Sequence, residues 1–279
     1  MIGFRLVNFL PPAGAQRLLI NTPTGTWELE QEQNYAALKN SVCSHKCAET
    51  YSIEHPVSMQ NGAAACDAAF EEVTPIVLGA SFALGLSVTV KRSLPSSECS
   101  IMQPSDHWPR ERAMGAGTPI VTTDAELISC IEKTVTAWKT AGASEKALLL
   151  IHHWLDALGC WSFEDMYLSA TTILQIIAAT EEHRQGQNLS FFNGVTDAAN
   201  RFSISPLSRD FKDMRNDLIH DGRLSGSRFS SKTLNDCAQV AADVFNWVDL
   251  YIHAALSLGT PSISRFKKSD FINLNSYSL

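Results

Sequence analysis

Residues 207–222 read Leu-Ser-Arg-Asp-Phe-Lys-Asp-Met-Arg-Asn-Asp-Leu-Ile-His-Asp-Gly, and the spacing of their apolar members decides how the second half of the chain folds. Leu207, Phe211, Met214 and Leu218 recur at the period of one buried helix face. Arg209, Lys212, Arg215, Asn216 and His220 fall off that stripe, and Asp221-Gly222 supplies a helix stop. The same period continues on both sides. Thr123 with Glu126 forms a capping box, because hydroxyl and carboxylate can each take an orphan amide of the first turn. Leu127, Ile128, Ile131, Val135 and Trp138 then share a face up to Gly142.

A second helix after Ser144 carries Ala147, Leu150, Ile151, Trp154, Leu155 and Leu158 on one stripe before Gly159. A third begins near Ser162, with Asp165 three residues on, and runs through Met166, Ala170, Ile173 and Ile177. The last long helix follows Thr233, with Leu234, Ala238, Ala241, Phe245, Val248, Ile252 and Ala255 in period until Gly259-Thr260-Pro261 stops it. Nothing between Thr123 and Leu258 alternates like a strand, so residues 118–260 predict an all-α bundle, with 261–279 as a C-terminal tail.

The N-terminal part reads differently. Short β-like runs at Phe4 to Leu10, Arg17 to Ile20 and Thr26 to Leu29 alternate with turn residues at Pro11-Pro12, Pro23 and Gly25, and a helical tract starts at Ala63. Val73 to Val90 is apolar enough to test as a membrane span. Pro75, Gly79, Gly85 and its Ser and Thr residues favour instead a buried helix to Leu84 running into a Val-Thr-Val strand. From Ser93 to Pro119 the composition turns to Pro, Ser and Gly, which places a domain boundary near Gly117. The expected architecture is an α+β N-terminal domain over 1–117, for sensing or docking, ahead of the helical bundle; the chain is mainly α overall.

The net charge of -7 argues against a protein whose whole surface grips a polyanion, so any nucleic-acid site must be local. Around the opening stretch Arg201, Arg209, Lys212, Arg215, Arg223, Arg228 and Lys232 outnumber Asp210, Asp213, Asp217 and Asp221, a local excess that fits a confined RNA cleft. Seven cysteines with no C-x-x-C pair point to reduced thiols. Met1-Ile2-Gly3-Phe4-Arg5 lacks the basic start of a secretory signal, so a cytoplasmic location is expected.

The chemistry rests on Arg215 and His220. An imidazole can move the proton of a 2′-hydroxyl or of the leaving 5′-oxygen, while a guanidinium holds the phosphate and its developing charge. That division of labour calls for no metal or other cofactor. Asn216 and His220, four apart, are neighbours on the helix surface, whereas Arg215 lies about 140° around an ideal helix from His220. Convergence therefore requires the helix to loosen at its Asp-Gly end, or a cleft shared with a second copy of the chain. The bland alternative is a solvated helix face on which Arg209 pairs with Asp213 and Asp217 with His220.

Arg215-Asn216-x-x-x-His220, on a short helix with a long one following, resembles the R-x(4–6)-H motif of the HEPN superfamily, in which a polar residue, often Asn, follows the Arg. With an α+β region of about a hundred residues in front, the layout resembles the ApeA-like HEPN proteins associated with phage defence in bacteria. The resemblance covers roughly Thr123 to Leu258 and implies a homodimeric endoribonuclease that cleaves through the 2′-hydroxyl, with Arg215 and His220 catalytic and Asn216 supporting. Arg209, Lys212, Arg223 and Arg228 would contact RNA. It also implies a role in antiviral defence by abortive infection, or in stress, answering to a defence-system partner protein or a phage trigger. The toxin branch silenced by a nucleotidyltransferase partner carries a Tyr two residues after the His; here that position is Gly222, which speaks against that control. The rival function is a non-catalytic HEPN-type subunit that binds RNA or dimerises.

Three other groups invite a reading. Cys43-x-His45-x-Cys47 with His55 has zinc-ligand chemistry but no knuckle spacing. His152-His153 with Asp156 fits the polar flank of an amphipathic helix, and His107-Trp108 fits a loop anchor.

Overall fold

The computed structural model describes residues 2–55, 62–93 and 118–277. Among them the chain is mainly helical, with a small antiparallel sheet at the N-terminal end. It divides into two compact units, Met1–Thr140 and Ala141–Leu279. The Pro-, Ser- and Gly-rich stretch, with the boundary expected near Gly117 and with His107-Trp108, lies outside the described residues.

The first unit is built on five strands, β1 (Ile2–Val7), β2 (Arg17–Thr22), β3 (Gly25–Gln31), β4 (Glu49–His55) and β5 (Thr89–Ser93), in the order β2-β3-β4-β1-β5 with every pairing antiparallel. Register places Leu18 opposite Leu29, Leu29 opposite Ile53, and Ile53 opposite Phe4. All four are buried, so one apolar row crosses four strands, as period-two alternation requires. Helices α1 (Tyr35–Cys43) and α2 (Gly62–Leu84) belong to this unit. On α2, Val73, Ile76, Val77, Ala80, Phe82, Ala83 and Leu84 are buried. Glu72 ties α2 to the β2–β3 hairpin: its Oε1 accepts from Trp27 Nε1 at 2.8 Å, from Thr22 Oγ1 at 2.6 Å and from Thr24 Oγ1. Among the described residues no helix is long and apolar enough to cross a membrane.

Helix α3 (Asp124–Ser144) keeps half of the expected box: Thr123 Oγ1 accepts from Glu126 N, but the Glu126 carboxylate accepts from Thr122, one residue earlier than the box places it. Up to Thr140 it belongs to the sheet unit rather than to the bundle. Its acids explain why. Asp124 accepts from Ala13 N and Ala15 N at 2.8 and 3.0 Å, and Glu132 accepts from the Asn21 amide of edge strand β2 at 2.8 Å. The division between units thus falls about one helix later than composition alone places it.

The second unit contains α4 (Ala147–Gly159), α5 (Phe163–Gln185), α6 (Phe191–Arg201), α7 (Asp210–Asp221), α8 (Leu234–Ala255) and the short α9 (Lys268–Ile272). Ser162 caps α5 by accepting from Asp165 N, and Thr233 forms a full capping box with Asp236 on α8. Helix α5 is the central element, in contact with α4, α6, α7 and α8. Where α6 meets α5 the approach is close: a Cβ on Gly194 would stand 2.7 Å from that of Ala178. Of the expected tail 261–279, residues 261–277 are described and are part of this fold. Phe266 and Phe271 are buried, Asn246 exchanges two hydrogen bonds with the Phe266 backbone, and Phe163 N donates to Asn275 O at 2.8 Å. The Arg265 guanidinium lies over Trp154 and pairs with Asp249 at 2.9 Å; burial nevertheless pushes the Asp249 carboxyl up.

Candidate active site

Helix α7 is held at its first turn. The buried Tyr167 hydroxyl of α5 donates to the Phe211 carbonyl at 2.6 Å, and the Phe211 ring packs against Phe191 and Phe192 of α6 at 5.4 and 5.9 Å. Phe211, Met214 and Leu218 are buried as the stripe requires, while Leu207 is half-buried ahead of the helix. The helix stays regular through Asp221 and ends at Gly222, whose φ of 67° is the left-handed stop that glycine adopts without strain.

That regularity decides the relation between Arg215 and His220. The helix does not loosen at its Asp-Gly end, so the two side chains leave it about 140° apart. Arg215 is half-buried and turned toward neighbouring helices: Nη2 donates to Gln175 Oε1 of α5 at 3.0 Å, and the guanidinium sits 5.1 Å from the Phe191 ring centroid. His220 is exposed in the last turn, and Asn216 is half-buried one turn before it.

Of the four cations assigned to RNA, Arg209 is exposed and pairs with Asp213 at 3.6 Å. Lys212 is half-buried and Arg223 exposed. Arg228 reaches Asp217 at 3.4 Å and Asp221 at 4.0 Å with 44% of its side chain still open. Asp217, which its spacing offers as a partner of His220, is instead fully buried and engages the segment after the helix. Burial alone would raise its carboxyl; the amides of Phe229, Arg228 and Gly226 outweigh that and hold it below the usual carboxylate range.

No family model, curated protein or solved structure matches this chain. The site therefore has to be read from its own geometry.

Sequence reasoning also missed a polar knot in the same unit. Arg201 of α6 donates to both oxygens of Glu145, at 3.2 and 3.0 Å, and to Glu181 at 2.9 Å. The Tyr251 hydroxyl donates to Glu145 at 2.8 Å, and Arg184 donates to the same carboxylate at 2.5 Å. Burial would raise Glu145, but Arg201, Tyr251 and Arg184 bring it below its ordinary value. Arg201, counted among the cations near the cleft, is therefore committed to a carboxylate pair. The signal was weak: these residues stand 20 to 106 positions apart.

Among the described residues no group of three or more His, Cys, Asp and Glu side chains could hold a metal ion. Cys43 and Cys47 are exposed free thiols, whereas His55 is buried against the Trp27 ring at 4.9 Å. His152 and His153 are half-buried on α4 and Asp156 is exposed.

Proposed function

We propose that the protein is a metal-independent endoribonuclease of the HEPN type, cleaving RNA through the 2′-hydroxyl in a cleft made by two copies of the chain. One observation carries the reading: a single short, well-anchored helix presents an arginine, an adjacent asparagine and, five residues on from the arginine, an exposed histidine. His220 exchanges protons with the 2′-hydroxyl and the 5′-oxygen, and Arg215 neutralises the phosphate. Since α7 is regular, the Arg215 of one copy serves the His220 of its mate, and Asn216 supports the same cleft. The biological setting that goes with this reading is bacterial defence or stress, with a cytoplasmic homodimer released by a partner protein or a phage trigger.

The contact of Arg215 with Gln175 and Phe191 favours the rival, a non-cleaving RNA-binding or dimerising subunit, if that contact persists on RNA. Incubation of the purified protein with total RNA in EDTA separates the two. New 2′,3′-cyclic phosphate ends that vanish in Arg215→Ala and His220→Ala support the nuclease; bound but intact RNA supports the rival.

A further inference from the structure

Asp217 stands between Asn216 and His220, yet the reaction just described gives it no task. Its side chain has 0% exposure, and the segment that follows the helix is wrapped around it. Oδ2 accepts from the amides of Phe229, Gly226 and Arg228 at 2.7, 3.0 and 3.1 Å. Oδ1 accepts from the Arg228 amide at 3.1 Å and from its guanidinium at 3.4 Å. Three main-chain amides around one carboxylate form an anion-binding nest whose anion the protein itself supplies. Gly226 permits the wrap: a Cβ there would meet Asp217 Cγ at 2.8 Å and Asp221 Oδ2 at 2.9 Å.

The rest of the segment is fastened in the same direction. Leu224 and Phe229 are buried, and Ser225 Oγ donates to Phe229 O at 2.8 Å while accepting from Lys232 N at 3.1 Å. Arg223 just ahead of these anchors, and Ser227 and Arg228 between them, are exposed. Residues 222–232 contain Arg223, Arg228 and Lys232 and no acid, in a chain whose net charge is -7. A partly exposed ion pair such as that of Arg228 with Asp221 is worth little, so a phosphate oxygen can take its place.

We propose that Asp217 is a positioning residue for the RNA substrate: it fastens residues 222–229 into a strap at the His220 end of α7, from which Arg223 and Arg228 grip phosphates flanking the scissile one. The proposal rests on the ribonuclease reading and adds the part that holds the strand. Removing the carboxylate costs affinity more than turnover, because Arg215 and His220 are carried by α7 itself and not by the strap.

The probe is a short fluorescein-labelled oligoribonucleotide with 2′-fluoro sugars, which lacks the attacking hydroxyl and stays intact. Its affinity is read by anisotropy against salt, alongside amide hydrogen exchange of the full-length protein and KM and kcat on the cleavable oligonucleotide. In Asp217→Asn the amides of Gly226, Arg228 and Phe229 lose protection, the probe binds about tenfold more weakly, and the loss in cleavage falls on KM. Gly226→Ala leaves the Asp217 charge in place but sets a Cβ against Asp217 Cγ, which lifts the strap and gives the same pattern. Arg223→Ala and Arg228→Ala, both at exposed positions, each lower the salt slope by about one, which keeps the proposal falsifiable should Asp217→Asn fail to fold. Unchanged exchange in Asp217→Asn, or loosened amides with probe affinity intact, overturns the strap alone. A wild-type protein that neither binds the probe nor cuts RNA overturns the ribonuclease reading with it.

Discussion

Two inactive proteins, Arg215→Ala and His220→Ala, should restore cleavage when mixed. Residues five apart on a regular helix are turned by about 140° and stand roughly 9 Å apart between Cα atoms, so their side chains diverge. Helix α7 remains regular through Asp221, Arg215 is turned toward Gln175 and Phe191, and His220 is exposed. On the ribonuclease reading, one chain does not aim both groups at one phosphate, and the second group comes from its mate. After complete subunit exchange half the dimers are mixed, and each mixed dimer keeps one of its two Arg–His pairs, so about one quarter of the wild-type rate returns. The assay is the appearance of cyclic phosphate ends after co-expression or denaturation and joint refolding, with native mass spectrometry counting mixed dimers. A mixture rich in mixed dimers yet no more active than either parent refutes the trans arrangement.

Further outcomes follow from packing and charge. Arg201→Ala leaves the Glu145 and Glu181 carboxylates to Arg184 and should cost about 1–3 kcal/mol, less than a fully buried ion pair would, read as a fall in the urea midpoint. Glu145 and Asp217 are both held below the ordinary carboxylate range. The stability they add is complete above the unfolded pKa of about 4 and lost as pH falls through their lower folded values. Unfolding midpoints measured from pH 7 to 3 should drop steeply at the acid end, and less so in Glu145→Gln. Gly194→Ala forces α5 and α6 apart and should cost about 1–3 kcal/mol; an unchanged melting temperature contradicts the close crossing at Ala178. Glu72→Ala strands the Trp27 indole N–H and should cost about 1–3 kcal/mol by thermal denaturation.

Periodicity and caps made most of the helical half legible. Ser162 and Thr233 each cap the helix that follows them, and Gly222 stops α7, because these signals are local and each needs only a few consecutive residues. Helix α6 was not legible: its buried face is Gly194, Val195, Ala198 and Ala199, small residues that read as weakly apolar and gain their burial only from the close approach of α5. Strand β4 was missed for a related reason, since Glu49–His55 holds Tyr51 and Ile53 in its core-facing row with Ser52 between them and Glu49 and Glu54 on either side, and its place beside β1 and β3 is a non-local pairing.

The sequence by itself determined that the second half is helical, that Arg215, Asn216 and His220 share one helix, and that this helix has one buried stripe, because each of these depends on spacing along the chain. Only tertiary structure decided that α3 joins the sheet through Asp124 and Glu132, that residues 261–277 complete the bundle, and that Asp217 turns inward to a nest of amides. The physical reason is the same in each case. A carboxylate or an aromatic ring is assigned by the partner that neutralises or covers it, and that partner is brought up by the fold, not by the neighbouring residues in the chain.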